Sequence, residues 1–501
     1  MVKVNSLNFV ESLPGLAACL ERAEFVSFDL EMTGIMGTER NPKDDGVEER
    51  YQRMSPTATK YSIIQVGLCF FERSVTGEGY VASPYSFFVF PEWGPDLIMS
   101  PGSITFLKKN GMDFNEWINH GLSFVNSNGA TKMREQRAER AAAATAATAG
   151  GSTNQEPPST LMPNRPAEIE QMNALKASIA QWAADPNSAA EFVVPAMNPF
   201  LRRCVYAHVE AVHPELKTRK DDAKPNEIVI LKVTEEQRVA LTLEEEAMFK
   251  RKLGFRVVFE MLQAAGKPIV GHNCFFDLLF LFRWFEGPLP SSFSAFRGRF
   301  AELFPAGVYD TKYSAESNLI PDIDPMQGDT ALQPLYEKVV AGMGEGLVSF
   351  ASPEMEYKGA DKQAHDAGYD AFMTGVIHCR LRLAAGVDTI RDKAWNRLFL
   401  MQSLYSFSLE PNKENPNLLR YVCRNFSFLS IVRRFPPTSL SSHSPPLCIS
   451  SHSLARSRYP RCQSTHWRHL PCVLGQLGRC RSQECNNRGL FRRGRDRRRG
   501  K

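Results

Sequence analysis

The chain has 501 residues, of which 43% are hydrophobic and 23% are charged, the composition of a globular protein with two to four domains. It has no run approaching about 18 consecutive apolar residues, its polar N-terminus does not resemble a secretory signal, and its eleven cysteines are scattered, so we expect no membrane span, no disulfide scaffold and a nuclear or cytoplasmic location. The net charge of +5 is unevenly distributed, because residues 426–501 hold 16 Lys+Arg against two Asp+Glu, whereas residues 1–425 hold 44 against 53. The acidic part therefore cannot bind nucleic acid through its overall charge.

The first predicted strand carries two carboxylates inside an apolar run, FVSFDLEMTGI, residues 25–35. Side chains two residues apart on a strand share a face, so Asp29 and Glu31 point the same way. At about 5 Å their charges repel by roughly 3 kcal/mol at an effective dielectric constant of 20. A bound cation would offset this repulsion, so the strand is a candidate wall of a metal site.

The elements that follow predict an antiparallel meander at the start of a mixed sheet. Residues 36–60 are polar and are predicted to form a loop, and the apolar runs at 61–71 and 85–90 are predicted to form two further strands. Two short helices broken at Gly111 come next. Together these elements are predicted to form the first part of a compact α/β domain, residues 1–126.

The middle of the chain has a different composition. Residues 127–164 are predicted to begin as a charged, Ala-rich helix and to continue into Gly, Ser, Thr and Pro, which predicts an exposed, flexible linker. Residues 165–245 are predicted to form a small α+β domain inserted into the first. A long amphipathic helix over 241–266 is predicted to stop at Gly266 and to cross into the second part of the α/β domain, residues 246–425.

The tail, residues 426–501, shows no sustained periodicity and is rich in Ser, Pro and Arg, which predicts disorder. Translated non-coding sequence has the same features and stays open as an alternative. A zinc-site interpretation is disfavoured, because the spacing fits no standard arrangement at Cys462, His466, His469 and Cys472. The terminal RRGRDRRRGK fits an RNA-binding or nuclear import segment as well as an incidental basic tail.

Three more candidate residues lie in the second part of the α/β domain. Asp277 follows a VGHN turn in an apolar helix, and His365 and Asp370 lie near the start of a helix predicted over 362–386. Taken singly, each acid fits a helix N-terminal residue stabilised by the helix dipole, and the histidine fits a hydrogen-bonded one. In chain order, however, Asp-x-Glu, Asp and His-x-x-x-x-Asp match nucleases of the DEDDh class, in which four acids bind two divalent metals and a histidine activates water.

The chemistry explains why these residue types occur together. Two cations about 3.5–4 Å apart stabilise the attacking and leaving oxygens of a phosphoryl displacement. Because Mg²⁺ prefers carboxylate oxygens, two Mg²⁺ ions, with Mn²⁺ as an alternative, are the predicted cofactors. Their predicted ligands are Asp29, Glu31, Asp277 and Asp370. His365 is the predicted general base, since a neutral imidazole accepts a proton.

The segments around these residues resemble the poly(A)-specific ribonuclease family of 3′-exonucleases over roughly residues 20–425. The segments are, in order, FVSFDLEMTGI, EERYQRM, GLCFF, FFVFPE, IVGHNCFFDLL, PLP, FPAGVYDTKYSAES and HDAGYDAFMTG. That family carries a small domain inserted between its first two nuclease motifs, which AMNPFLRRCVYAHVEAVHPEL through IVILKVTEEQR resembles. The resemblance implies a ribonuclease H-like fold, action on single-stranded RNA 3′ ends, a homodimer, and RNA contacts at Ile35, Asn273 and Lys312.

Three departures limit what the resemblance implies. Met32 stands where the nearest relatives have an aromatic residue, which weakens one stacking contact. Cys204 stands at the Arg position of an Arg-x-x-x-His motif that ends at His208, which argues against direct RNA binding by the insert. No RNA-recognition domain is predicted after Arg420, so binding of the mRNA cap is not expected.

The predicted function is a metal-dependent 3′-exoribonuclease that shortens poly(A) and releases 5′-AMP. The adenine preference comes from the resemblance alone, since the five site residues indicate phosphodiester hydrolysis without a base. One alternative is a trimmer of small or non-coding RNA 3′ ends with the same site. Another is a pseudonuclease that binds RNA without cutting it, against which the presence of all five residues argues.

Overall fold

The computed structural model describes most of the chain up to residue 411. The described residues are 1–35, 45–149, 163–213, 215–220, 224, 226–320, 322–324, 329–342, 346–357, 365–400 and 406–411. All of them fall within the unit Met1–Phe428, and the second unit, Leu429–Lys501, lies outside them. The predicted disordered tail therefore stays a prediction.

The secondary structure alternates between strands and helices. Within the described residues the strands are, in chain order, β1 (Val2–Val4), β2 (Phe25–Met32), β3 (Ile63–Arg73), β4 (Tyr80–Phe88), β5 (Glu191–Val194), β6 (Leu216–Lys220), β7 (Ile228–Lys232), β8 (Ile269–Gly271), β9 (Val308–Asp310), β10 (Val348–Phe350), β11 (Arg397–Phe399) and β12 (Ser406–Ser408). The helices are α1 (Phe9–Arg22), α2 (Val47–Lys60), α3 (Pro101–Lys109), α4 (Phe114–His120), α5 (Ser127–Ala149), α6 (Pro166–Ala184), α7 (Pro199–Val212), α8 (Glu235–Leu253), α9 (Phe255–Ala265), α10 (Phe275–Leu281), α11 (Phe293–Leu303), α12 (Thr311–Glu316), α13 (Leu332–Ala341), α14 (Ala367–Ala385) and α15 (Val387–Ala394), with a π-helical turn at Phe282–Glu286. In the part of the chain described, no helix has the length and apolar character needed to cross a membrane.

The central sheet is mixed, as predicted. β2, β3 and β4 form the antiparallel meander, and β8 and β9 continue the sheet parallel to β2. The strand order is β1-β4-β3-β2-β8-β9, with β10 also beside β4. One hydrophobic core lies between the sheet and α1, α9 and α10, and a second lies against α14. Because both faces are covered, β3 is an almost continuous apolar run rather than an alternating one.

The inserted segment has a core of its own. β5, β7 and β6 form an antiparallel three-stranded sheet. α6 and α7 pack on it through Trp182, Leu201 and Val205, which contact the same buried cluster as Ile230. The helix that follows, α8, runs from Glu235 to Leu253 and so spans the predicted domain boundary at residue 245.

Helix α2 corrects the prediction of a loop over residues 36–60. Residues 36–44 lie outside the described part, but Val47–Lys60 is helical and buries Arg50, Tyr51 and Thr57. The sequence VEERYQRMSPTATK is polar overall and contains a proline, which favours a loop. Its few apolar residues, Val47, Met54 and Ala58, nevertheless pack on the core together with Tyr51.

Helix α5 lies where a charged, Ala-rich helix is predicted at the start of the linker. It occupies Ser127–Ala149, and its Arg134 and Arg137 form ion pairs with Glu260 and Glu246 at 2.6 and 2.7 Å. Such exposed pairs contribute about 0.2–1 kcal/mol each, and the Ala-rich composition has high helix propensity. The rest of the predicted linker, up to residue 162, lies outside the described residues.

Gly254 divides the long helix predicted over 241–266. α8 ends before it and α9 begins after it, and its backbone has φ 56° and ψ −135°. A Cβ atom at this position would lie 1.6 Å from the Ser123 carbonyl oxygen, to which the Phe255 amide donates a hydrogen bond at 3.0 Å. Close approach of a distant segment therefore requires glycine here, although the apolar period continues across the break.

Candidate active site

The four predicted metal ligands and His365 line a single cleft of about 820 Å³. β2 contributes Asp29 and Glu31, which pair with Gly67 and Gln65 of β3 across the sheet. α10 and α14 contribute Asp277 and Asp370. Residues separated by more than 300 positions in the sequence therefore meet at the end of the central strand.

Both helical acids lie in the first turn of their helices. Asp277 follows β8, the turn residue Asn273 with φ 55°, and the start of α10 at Phe275. Asp370 lies in the first turn of α14, which begins at Ala367. The helix dipole favours negative charge at these positions. Each acid can therefore be both a helix N-terminal residue and a metal ligand.

Burial and mutual repulsion dominate the electrostatics of the cluster. Burial raises the pKa of Asp29 and of Glu31 well above their ordinary values, and the charges of Asp370 and Asp277 raise both further. Burial also raises the pKa of Asp277 and of Asp370 to about 7. The buried Oδ1 of Asp370 accepts no hydrogen bond from any residue that the structure describes. Four buried carboxylates that repel one another do not stabilise packing, but they are suited to binding cations.

His365 lies just before α14 rather than inside it, which corrects its predicted helical position. Its φ of 70° places it in the left-handed region, and its amide donates to Asp370 Oδ2 at 3.2 Å. A ring nitrogen of His365 and one carboxylate oxygen each of Glu31 and Asp370 lie within 4.8 Å of one another. The ring also meets Phe106 edge-on at 4.5 Å between centroids. Partial burial lowers the pKa of His365, which favours the neutral ring.

Asp366 is a fifth carboxylate at the site, which the sequence analysis missed. Its Oδ1 accepts hydrogen bonds from the Gly368 and Tyr369 amides at 3.0 and 3.4 Å, as the N-cap of α14. Its charge also raises the pKa of Asp29, Glu31 and Asp370, after larger contributions from burial. An Asp immediately before a helix is the signal that could have identified it.

Asp310 is a second missed acid, and it organises the loop beside the ligands. Its carboxylate is fully buried and accepts hydrogen bonds from the amides of Asn273, Lys312 and Phe399 at 2.8–2.9 Å. Burial raises its pKa to about 6, against the opposing effect of these amides. Because every one of these partners is a backbone amide, Asp310 fixes the conformation of three segments at once.

The three predicted RNA contacts occupy different places. Ile35 and Asn273 line the cleft, and Ile35 is 54% exposed, as a contact residue should be. Lys312 is set back from the cleft, where its Nζ donates to Thr330 Oγ1 at 2.6 Å and lies 3.4 Å from Glu316 Oε1. Met32, at the position of the weakened stacking contact, also lines the cleft and is 7% exposed.

In the insert, the two residues of the degenerate motif face inward. Cys204 and His208 are both buried, and Cys204 belongs to the hydrophobic core of the insert. Burial lowers the pKa of His208 to about 4. This placement suits a packing role for the motif and leaves neither side chain on the surface.

The sequence matches the family model described as CAF1 family ribonuclease over residues 4–378. The chain belongs to the CAF1 ribonuclease family. This match, together with the relatives described next, confirms the predicted resemblance to poly(A)-specific ribonucleases.

Several relatives of this CAF1 family ribonuclease carry more specific names. It is 26% identical over 458 residues to the poly(A)-specific ribonuclease PARN of Xenopus laevis, covering 83% of this chain and 70% of that protein. It is 28% identical over 446 residues to the PARN of Homo sapiens, covering 82% and 68%. It is 26% identical over 393 residues to the pre-piRNA 3′-exonuclease trimmer of Bombyx mori, covering 75% and 70%.

Among solved structures, the S. pombe Pop2p structure in its Mg²⁺- and Mn²⁺-bound form aligns with a TM-score of 0.39 and 15% identity, covering 79% of this chain and 98% of that one. The RNase domain of the yeast Pop2 protein aligns with a TM-score of 0.36 and 12% identity, covering 77% and 86%.

Proposed function

We propose that the chain is a metal-dependent 3′-exoribonuclease that shortens poly(A) and releases 5′-AMP. The observation that carries the proposal is the convergence of four carboxylates with raised pKa values at one end of β2. Burying carboxylates without compensating partners costs several kcal/mol in a protein. A fold retains such a cluster when bound cations offset the repulsion.

The donor set fits two Mg²⁺ ions, with Mn²⁺ as an alternative. Asp29, Glu31, Asp277 and Asp370 would hold them, since hard divalent cations take carboxylate oxygens. The buried Asp370 Oδ1, without a hydrogen bond from the described residues, is an acceptor of the required kind. Bound Mg²⁺ would stabilise the charge that develops on the attacking and leaving oxygens of the phosphodiester.

His365 is proposed to accept the proton of the attacking water. Its lowered pKa keeps the ring neutral near pH 7, and a neutral imidazole is the form that accepts a proton. The backbone amide of His365 donates a hydrogen bond to Asp370 Oδ2. The backbone thus positions Asp370, whereas the ring is left to accept the proton. The ring lies beside Glu31 and Asp370, within reach of a water bound between them.

The substrate is proposed to be the 3′ end of single-stranded poly(A) RNA. Ile35 and Asn273 line the cleft and are proposed to contact the terminal nucleotides. Lys312 is proposed to contribute to RNA binding indirectly, by holding the ring of Phe399. Its Nζ lies 5.5 Å from the centre of that ring, and Phe399 lines the cleft. The choice of adenine is supported by the names of the relatives and not by a base contact.

A turnover assay tests this proposal directly. Oligo(A) labelled at its 5′ end should shorten one nucleotide at a time in Mg²⁺, release 5′-AMP, and stay intact in EDTA. Oligo(U) and oligo(C) should be shortened more slowly. Internal cleavage, or hydrolysis that persists in EDTA, would overturn the proposal.

The same assay separates the two alternatives. Equal rates on all three homopolymers would favour a 3′-end trimmer of small or non-coding RNA, the activity named for the Bombyx mori relative. Binding of oligo(A) without turnover in Mg²⁺ or Mn²⁺ would favour a pseudonuclease.

Assembly and location complete the proposal. The protein is proposed to form a homodimer, to reside in the nucleus, the cytoplasm or both, and not to bind the mRNA cap. Sedimentation at micromolar concentration, imaging of a fluorescent fusion, and binding to a cap analogue test these points separately. A monomer in sedimentation would remove the dimer without affecting the catalytic proposal.

A further inference from the structure

One face of α2 borders the active-site cleft and has no part in the chemistry proposed above. Arg50, Arg53, Thr57 and Lys60 line the cleft. They recur every three or four residues, so they share one side of the helix, and they extend along about 15 Å of it. Among the described residues that line the cleft, every Lys and Arg belongs to this set, which we call the α2 face.

Asp45 orients the two arginines of the α2 face. Its Oδ2 lies 3.5 Å from Arg50 Nε and 3.1 Å from Arg53 Nε. The Arg50 side chain is 2% exposed and that of Asp45 is 7% exposed, whereas that of Arg53 is 36% exposed. A buried carboxylate thus holds one guanidinium in the wall of the cleft and another at its surface. A planar guanidinium fixed in this way is suited to paired hydrogen bonds with a phosphate.

The helix that carries the α2 face is fixed in place by residues outside that face. The Tyr51 hydroxyl donates to the Pro290 carbonyl at 2.6 Å, and Gln52 Nε2 donates to the Ser291 carbonyl at 2.7 Å. The Tyr51 ring also packs against Phe296, with 5.5 Å between centroids. Since Tyr51 and Gln52 fix α2 in place, the α2 face needs little ordering when a ligand binds, which favours affinity.

The charge of the surroundings indicates what the α2 face binds. The floor of the cleft carries Asp29, Glu31, Asp277 and Asp370, and residues 1–425 hold more acidic than basic side chains, 53 against 44. An RNA backbone is repelled by such a floor wherever no cation intervenes. A local row of cations beside the floor supplies the attraction that the overall charge lacks.

We propose that Arg53 and Lys60 of the α2 face bind phosphates of the RNA backbone and guide the strand along α2 to the acidic floor, while the buried Arg50 adds its charge to the wall of the cleft. This inference rests on the proposed function, because it concerns the substrate of the same site. Contacts to phosphate carry no base information, so the α2 face contributes affinity and direction, and base selection is left to other residues of the cleft.

Binding measurements on a double variant test the inference. Arg53→Gln/Lys60→Gln removes two exposed cations and leaves the buried Arg50 beside Asp45, so the buried carboxylate keeps a cationic partner. The matched control is Lys252→Gln/Lys393→Gln, which removes two exposed lysines from α8 and α15. Both pairs are made in the Asp29→Asn background to prevent turnover, and the Kd for ten-nucleotide oligo(A) and oligo(U) is followed from low to high KCl.

The expected result is weaker binding at low salt, by the same factor for both RNAs. The slope of log Kd against log[KCl] should fall by about 1.4, since each phosphate contact to a single strand contributes about 0.7. The control should keep the original slope. An unchanged slope in the test variant, or weaker binding of oligo(A) alone, would overturn the inference.

Failure of the inference can be told apart from failure of the proposed function. If the wild type hydrolyses oligo(A) while the test variant keeps the original salt slope, the proposal for the α2 face is wrong and the proposed nuclease activity is retained. If the slope falls as expected but the wild type cuts no RNA, the backbone contact stands and the nuclease proposal fails.

Discussion

The Gln65 side chain fastens the start of α14 to β3. Its Nε2 donates to Asp366 Oδ2 at 3.2 Å, and its Oε1 accepts a hydrogen bond from the Ala367 amide at 3.2 Å. Gln65 is also the residue that pairs with Glu31 across β2 and β3. The Gln65 amide therefore connects α14, which carries Asp370, to β3. β3 in turn pairs with β2, which carries two of the other proposed ligands.

Gln65→Ala should lower kcat/KM about 10–100-fold, the usual effect of losing a residue that orients metal ligands. The physical reason is that the first turn of α14, with Asp370, would lose its hydrogen bonds to β3, the strand that pairs with Glu31. The Mg²⁺ concentration for half-maximal rate should rise in parallel, which a general loss of stability would not produce. Gln333→Ala, on the exposed side of α13, is the control, and activity within twofold of wild type in both variants would refute the link.

Asp370→Asn should stabilise the metal-free protein, and more so as the pH rises. The folded-state pKa of Asp370 is about 7 against an ordinary 3.8, so its ionised form disfavours folding. The penalty is absent below about pH 4, grows as the pH rises through the folded pKa, and is constant above it. The difference from wild type in free energy of unfolding should therefore be larger at pH 8 than at pH 5, by on the order of 2 kcal/mol.

This comparison is made in EDTA, by thermal or denaturant unfolding of the two proteins side by side. Taking the difference removes the contribution of buried histidines such as His378, which both proteins share. Added Mg²⁺ should reverse the order of stability, because the wild type binds it more tightly. A difference that is equal at the two pH values would contradict the repulsion argument.

His365→Ala should lose a factor of about 10²–10⁴ in rate and keep its affinity for Mg²⁺, as expected for a general base. The wild-type rate should rise with pH through the ionisation of the ring, and this dependence should flatten in the variant. The proximity of the ring to Glu31 and Asp370 makes a ligand role the alternative to exclude. Weaker Mg²⁺ binding in calorimetry, with activity restored by excess Mg²⁺, would assign His365 to that role.

Gly254→Ala should destabilise the fold by at least about 2 kcal/mol. Its positive φ and the Ser123 carbonyl oxygen leave no room for a Cβ atom. Gly298→Ala is the matched control, because Gly298 lies in α11 with nothing within 4 Å of the added atom, and it should stabilise by roughly 0.5–1 kcal/mol. Equal melting temperatures for the two variants would show that the break after α8 does not need glycine.

The sequence reveals the ligands of the site because they violate the pattern around them. Asp29 and Glu31 interrupt an apolar strand, and Asp277 interrupts an apolar helix. Packing does not explain these charged residues, which indicates a functional role. The strands β2, β3 and β4 are equally visible, since burial on both faces makes them continuous apolar runs. The antiparallel pairing of β3 with β4 follows from the short connection over residues 74–79, whereas β2 and β3 are joined by residues 33–62, which include α2.

Other features were hidden because they depend on contacts between distant segments. α2 is polar overall and buries Arg50 beside Tyr51, so its composition indicates a loop. Gly254 breaks a helix only because Ser123, 131 residues earlier, approaches it. The position of His365 before α14 depends on the Asp366 cap and on Gln65. Pairings of this kind leave no local signal for a single sequence to show.

The most direct test of the account is the single-turnover rate at which Asp29→Asn removes the 3′-terminal nucleotide of oligo(A) in saturating Mg²⁺. Asparagine keeps the shape of the side chain and removes the charge that the proposed cation requires. Loss of several kcal/mol of transition-state stabilisation corresponds to a rate lower by about 10³-fold or more, with the variant at least as stable as wild type in EDTA. A rate within tenfold of wild type would contradict the claim that these carboxylates bind the catalytic metals.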